Sequence, residues 1–293
     1  MRGLYWTSVT DRGRGLPVEY PSLSGGLVAY AWNWQEVDDP TLTPASFAEG
    51  IGEIDSELLP IDYQDLEAIE LSTRWDPRWN SVLGAATDLI LSAEIAPGGQ
   101  PTGLFWNGMR ITGAYTGDFE DPDGPKGLNL KTIQILWTAL HLAAVANAQP
   151  AALTEQQIFG ASAAAHRTLA FFRTFHAAEG RIPEYLAPDG RDVPECGTTN
   201  PAGCLEPDIS NLVNGESRIY ALAARLALRL GDQAFASTLV QQHILTDRVT
   251  DPTSPRFGFI GASTSNTDDA EAWNTLEAVL TLCQEAAVPA LVN

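Results

Sequence analysis

Three long apolar stretches of helical character are each announced by a loop crowded with glycine, proline, carboxylates and aromatic rings. The loop phrases are PTGLFWNG then TGDFED, GRIPEYLAPDG then NGES, and PRFGFIG then TDDAEAW. The stretches they introduce are LNLKTIQILWTALHLAAVAN, GESRIYALAARLALRL and DDAEAWNTLEAVLTLCQEA. Packed as successive helical hairpins, such stretches put every one of these loops at the same end of the molecule. That alternation confines the chain to helical layouts with one elaborated rim, where acids and rings from distant parts of the sequence gather.

The helices are legible one by one. Residues 128 to 147 are apolar almost all round after Lys131, which predicts an inner helix of a larger core. TEQQIFGASAAAHRTLAFFRTFHA opens with Thr154 and Gln157 at capping-box spacing and keeps polar residues on one side, as an outer partner does. GESRIYALAARLALRL sets Arg218, Arg225 and Arg229 along one side of an apolar helix, and Asp232 caps DQAFASTLVQQHIL to make a second hairpin. Earlier, PASFAEGIGEIDSELL reads as a weak helix with two glycines, and DYQDLEAIELSTRW as a better one offering Leu66, Ile69 and Leu71 for burial. Asp76 followed by Pro77 predicts an N-cap and a first helical residue for WNSVLGAATDLILSAEI. Residues 1 to 43 read as irregular or extended, with Tyr30, Trp32 and Trp34 in an alternating stretch that suits a strand. The expected architecture is mainly α, with seven or eight helices and few strands in one domain over residues 1 to 293, the segment 1 to 43 packed upon it.

Composition narrows the partners. A formal net charge of −20 and a pI near 4.4 argue against nucleic acid, an anionic membrane surface or a polyanionic glycan, all of which an acidic protein repels. No uninterrupted apolar run reaches the roughly 18 residues of a membrane span, so no membrane insertion is expected. The opening MRGLYWTSVTDRGRG lacks the apolar core of a secretory signal, which fits either an intracellular protein or a mature piece whose signal and further domains are missing. A secreted or cell-surface location is the expectation, a cytoplasmic one the alternative. Cys196 and Cys204 bracket the polar loop CGTTNPAGC, whose ends can meet, and are a disulfide candidate for an oxidising compartment. Cys283, on an apolar helical face, is expected as a buried free thiol.

Carboxylates carry the chemistry. Asp118 and Glu120 in TGDFED, Glu184 in IPEYL, Glu216 in NGES, and Asp268, Asp269 and Glu271 in TDDAEAW all belong to the rim loops. Hydrolysis of a glycosidic bond needs two carboxyl groups across it, one protonated to donate to the leaving oxygen and one ionised as base or nucleophile. Acids at helix starts are also favoured by the dipole and by capping, whatever the function. Trp106, Tyr115, Phe119, Tyr185, Phe257, Phe259 and Trp273 lie in or beside the same loops, where rings either stack on sugars or pin loops to helices. His141, His166, His176 and His243 fall within expected helices and outside the loops, which lowers a lyase reading that needs a base at the cleft. The run DFEDPDG adds Asp121 and Asp123 and offers oxygen ligands of the kind calcium takes, but it does not match an EF-hand loop and reads better as a solvated turn. No cofactor is expected, with calcium there as the alternative. No Walker loop, GxSxG elbow, HExxH helix or dinucleotide fingerprint is present.

Over about residues 60 to 290 this layout resembles the α/α-toroid carbohydrate-active enzymes, a group that includes glycoside hydrolase and polysaccharide lyase families. The resemblance lies in architecture and transfers no catalytic residue. It implies helical hairpins in a toroid or partial toroid, a smaller or incomplete ring, because such rings commonly hold more helices. It also implies a glycan as partner. The reading that follows is a glycoside hydrolase-like enzyme acting on a neutral or weakly charged glycan. Asp118 or Glu120 would supply one carboxyl and Glu184 or Asp269 the other, with Trp106, Tyr115, Tyr185 and Trp273 lining subsites. The rival reading is a non-catalytic glycan-binding module or a self-associating subunit of an extracellular or surface assembly on the same scaffold.

Overall fold

The computed structural model describes residues 9–10, 27–28, 58–62, 64–77, 79–110, 113–117, 129–193, 216–255, 257–261 and 272–291. Among them are seven α-helices: α1 (Leu66–Thr73), α2 (Trp79–Ser92), α3 (Thr132–Ala148), α4 (Glu155–Glu179), α5 (Ser217–Arg229), α6 (Gln233–Leu239) and α7 (Ala272–Leu291). The strands are short: β1 (Val9–Thr10), β2 (Leu27–Val28), β3 (Leu58–Pro60), β4 (Gly108–Arg110), β5 (Tyr115–Thr116), β6 (Leu130–Lys131) and β7 (Tyr185–Leu186). They pair antiparallel as β1–β2, β3–β4–β5 and β6–β7. The protein is mainly helical, as its sequence predicts.

The helices pack in two layers. Hairpin partners α1 and α2, α3 and α4, and α5 and α6 lie against each other, while α1, α3, α5 and α7 adjoin one another in that order. α2 also packs on α4. α3 buries residues on every side, Ile135, Leu136, Ala139, Leu142 and Ala143 among them, as expected of a helix without a polar face. α4 starts with the capping box the sequence announces: the Thr154 hydroxyl accepts the Gln157 backbone N–H, and the Gln157 side-chain oxygen accepts the Thr154 backbone N–H at 2.9 Å. The same Gln157 amide donates to Asp88 Oδ1 at 2.8 Å and to the Gly84 carbonyl at 3.2 Å, fastening α4 to α2.

The three arginines of α5 face different partners. Arg218 meets Glu216 at 2.8 Å, and Arg225 meets the mostly buried Glu277 of α7 at 2.5 Å. Arg229 reaches Glu67 of α1 at 3.0 Å and the Leu140 carbonyl of α3 at 3.2 Å. Two of them therefore staple neighbouring members of the inner layer. Between α2 and α4 the clamp is Glu94, gripped by Arg167 at 2.7 and 2.6 Å.

Several expectations need correction. The end of the segment read as a weak helix is a strand, because Leu58 to Pro60 pair with Arg110 to Gly108; the rest of that segment lies outside the described residues. α1 is shorter than expected and starts after Asp65, whose carboxylate accepts the N–H groups of Glu67 and Ala68. Leu71 is exposed, since the buried stripe runs through Leu66, Ile69 and Ser72 and leaves Leu71 on the opposite face. α2 begins at Trp79, two residues beyond Pro77, after turns in which the Asp76 and Pro77 carbonyls accept the Trp79 and Asn80 N–H groups. Cys283 is exposed, not buried: α7 turns Glu277, Ala278 and Thr281 inward, and Leu276, Val279, Leu280 and Cys283 share the other face. α6 gives way to a π turn at Val240–Ile244.

Candidate functional site

The loops that follow the outer helices are tied to the starts of the inner ones. β7 follows α4 and pairs with β6, which runs directly into α3; the Thr132 N–H donates to the Glu184 carbonyl at 2.9 Å. Asn107 binds three segments together. Its side-chain oxygen accepts the Lys131 N–H at 2.9 Å, its carbonyl accepts the Ile61 N–H at 2.8 Å, and its own N–H donates to the Thr116 carbonyl at 3.1 Å. Gly117 lies so close to Asn129 that an added Cβ would sit 2.1 Å from the Asn129 carbonyl oxygen.

The start of α5 is held in the same manner. Ser217 Oγ lies 2.6 Å from both Asp247 Oδ2 and the Gly261 carbonyl, which bound a hairpin closed by the Val249 N–H on the Phe259 carbonyl at 2.8 Å. From the same hairpin the Ile260 N–H donates to Thr275 Oγ1, in the first turn of α7, at 3.1 Å. Described parts of all three long loops thus converge on the N-terminal ends of α3, α5 and α7. Those ends carry the positive pole of each helix, which favours carboxylates nearby.

Glu184 is half-buried and stands on this rim. Asp118, Glu120 and Asp269 lie outside the described residues, as do Asp121, Asp123, Phe119, Asp268, Glu271 and the cysteines Cys196 and Cys204. Trp273 belongs to the first turn of α7, with its side chain outside the described set. Trp106 is half-buried against the core, its backbone N–H donating to the Ala93 carbonyl at 3.1 Å. Tyr115 is also half-buried there, its hydroxyl 2.8 Å from Ser92 Oγ. Tyr185 is buried opposite Lys131. Phe257 and Phe259, at 49% and 40% exposure, are the exposed rings of the rim loops among the described residues. Glu216 occupies the N-cap position of α5 but gives its carboxylate to Arg218 and not to the helix.

Sequence reasoning missed the polar floor beneath the rim. Asn107, Thr132 and Gln134 are all buried at the start of α3, and Asn107 Nδ2, Thr132 Oγ1 and Gln134 Oε1 have no hydrogen-bond partner among the described residues. The Asn107-Gly108 pair, a turn signal, was the available clue. Asp192 was missed too. Burial pushes its carboxyl above the ordinary range; Arg181 pulls the other way, and Glu179 adds to the rise. It bridges Leu186 and so braces β7 from behind. Deeper in, His141 holds the Asp62 carbonyl at 3.1 Å and stands 3.3 Å from Asp65. Burial would raise Asp65, but His141 and the N–H groups of Ala68 and Glu67 outweigh it and hold the carboxyl down at about 2. Among the described residues no three histidines, cysteines or carboxylates gather as a metal site, and no helix is long and apolar enough to cross a membrane.

No family model matches this sequence, and no curated protein does. Among solved structures the chain is similar to one described as a novel alpha-amylase from Clostridium perfringens, with a TM-score of 0.53 and 15% sequence identity. The match covers 81% of this chain and 56% of that one, so the chain spans little more than half the length of its structural neighbour. At that identity the likeness is one of fold.

Proposed function

We propose that this protein is a glycoside hydrolase-like enzyme that cleaves a neutral or weakly charged glycan by carboxylate acid/base catalysis. The observation that carries the reading is the convergence of the three long loops on the starts of α3, α5 and α7, with Glu184 among them. A fold shared with a structure described as an alpha-amylase supports it. Glu184 is assigned one catalytic role, and Asp118 or Glu120 the other, with Asp269 as the alternative to Glu184. Gly117, the residue before Asp118, packs on the chain that enters α3, three residues ahead of the bond between Thr132 and Glu184. One carboxyl, protonated, donates to the leaving oxygen; its partner, ionised, activates water or attacks the sugar. Phe257 and Phe259 offer ring faces for stacking. The mechanism needs no cofactor, and polymeric glycan as substrate goes with a secreted or cell-surface location.

A second reading, a glycan-binding or assembly protein without turnover, draws on one observation. Tyr115 and Tyr185, expected to line subsites, are engaged in contacts with the body of the protein. The experiment that separates the two is product release from a panel of neutral and uronate-containing polysaccharides, following reducing ends and the ultraviolet absorbance of unsaturated products together. Reducing ends without absorbance establish hydrolysis. Absorbance means elimination and overturns the proposal, and silence with saturable glycan binding gives the second reading.

A further inference from the structure

In the outer layer, near the rim, two imidazoles meet head to head. His176, in the last turn of α4, and His243, in the π turn that ends α6, bring their Nε2 atoms to 2.9 Å with the rings at 82°. Tyr220 of α5 stacks flat on His243, centroids 3.8 Å apart and 5° between planes, and its hydroxyl accepts the Ile182 N–H at 3.1 Å. Phe235 of α6 turns an edge toward His176. A hydrogen bond between two Nε2 atoms needs a proton on one and a lone pair on the other, so it survives with neither ring charged or with one charged. With both charged, two donors oppose each other.

We propose that the His176–His243 pair is an acid-released clasp: closed, it ties the π turn to α4, and doubly protonated, it opens and frees the Asp247–Gly261 hairpin from the starts of α5 and α7. The hairpin begins only four residues after His243, and its first residue is the Asp247 that meets Ser217. Between them the chain passes through a wide i to i+5 turn, in which the Leu245 N–H reaches the Val240 carbonyl at 2.9 Å; π turns of this kind recur at functional joints.

The charged groups near the pair in the chain are Arg173, Glu179, Arg181, Asp232 and Asp247, the last engaged with Ser217. From α4 come Arg173, one turn before His176, and Glu179, one turn after it; from the α6 N-cap comes Asp232, and from the connection beyond α4, Arg181. Arg173 and Asp232 are paired with each other at 3.0 Å, and Arg181 is paired with Asp192. α5 contributes Tyr220, which is uncharged. Among the described residues no carboxylate bonds to either imidazole. Burial pushes both rings below their ordinary range, and the neighbouring charge of His176 adds to the shift that takes His243 to about 4. Both folded values lie below the unfolded value of 6.5, so the stabilisation from the neutral rings is complete above 6.5 and is lost as pH falls through the folded values, for His243 about 4. The clasp does not depend on the rim being catalytic.

The test is an NMR titration of the histidine rings in the whole chain, with backbone hydrogen exchange across 240–261 compared at pH 7 and pH 4 after correction for intrinsic rates. The His243→Gln variant keeps a donor and an acceptor but cannot titrate. In the wild type, exchange across 245–261 is expected to rise by about tenfold or more as His243 takes up its proton, while α3 amides stay protected. The variant is expected to show no such rise. Protection unchanged through the His243 titration overturns the proposal, as does an equal rise in the variant. If the variant does not fold, the wild-type comparison of the His243 titration with hairpin exchange decides alone.

Discussion

The Thr132 N–H, first in α3, donates to the carbonyl of Glu184 at 2.9 Å, so a proposed catalytic residue is fixed by its backbone to the start of an inner helix. The side chain can then be exchanged without losing that bond. Glu184→Gln is expected to lower kcat by about 10²- to 10⁴-fold, the usual weight of general acid/base catalysis, in a protein that still melts cooperatively. Glu216→Gln, whose carboxylate is engaged by Arg218, is expected to leave kcat within about twofold. Reducing-end kinetics and melting curves on the same preparations check both.

Two glycines of the loops differ in what a methyl group would meet. At Gly103, with φ of 80°, a Cβ would fall 2.4 Å from the Thr168 backbone nitrogen in α4. At Gly98, with φ of 61°, it would meet nothing within 4 Å. Gly103→Ala is expected to cost about 3 kcal/mol or more, combining strain with a clash against backbone that cannot yield. Gly98→Ala should cost about 1 kcal/mol, from the left-handed conformation alone. Denaturant unfolding measures both.

The Arg225–Glu277 pair joins α5 to α7 with side chains only 18% and 10% exposed. Removing one partner strands the other charge, so Glu277→Ala is expected to destabilise by about 3 kcal/mol. Replacing both, as Arg225→Met with Glu277→Leu, is expected to recover most of that loss, to within about 1 kcal/mol of wild type. A double-mutant cycle in urea checks the non-additivity.

Asp65 supplies an acid-side signature. Its folded value, about 2, is below the ordinary 3.8, so its stabilisation is present above 3.8 and is lost as pH falls through about 2. Asn in its place still caps a helix but does not titrate. Asp65→Asn is therefore expected to flatten the stability curve between pH 4 and 2 while leaving α1 intact, as read by circular dichroism of thermal unfolding across that range.

What the sequence disclosed was whatever depends on local signals. The capping box at Thr154 and Gln157, the all-round apolar α3 and the Asp232 cap each act within a turn or two, and each is found where the pattern predicted. Facing directions were harder. Leu71 and Cys283 both sit on apolar stretches, but which side of α1 or α7 turns inward depends on neighbours far off in sequence, Glu277 meeting Arg225 being one. Leu58 to Pro60 became a strand because β4, some fifty residues later, offers an edge. At the rim the acids drew attention and Asn107 did not, although it joins three segments; nothing in an isolated Asn-Gly pair reveals what its side chain will reach. His176 and His243, each an ordinary helical histidine on its own, gain meaning only as a pair.

Gln157 closes the capping box of α4 and, with the same amide, grips Gly84 and Asp88 of α2. One side chain therefore serves both to start α4 and to dock it. A neighbour that holds the capping side chain steadies the nucleating turn, and nucleation is the costly step of helix formation. Lesions at this seam are therefore expected to slow folding, and lesions at the far end of α4 chiefly to hasten unfolding, which folding and unfolding rates of the two sets of variants check.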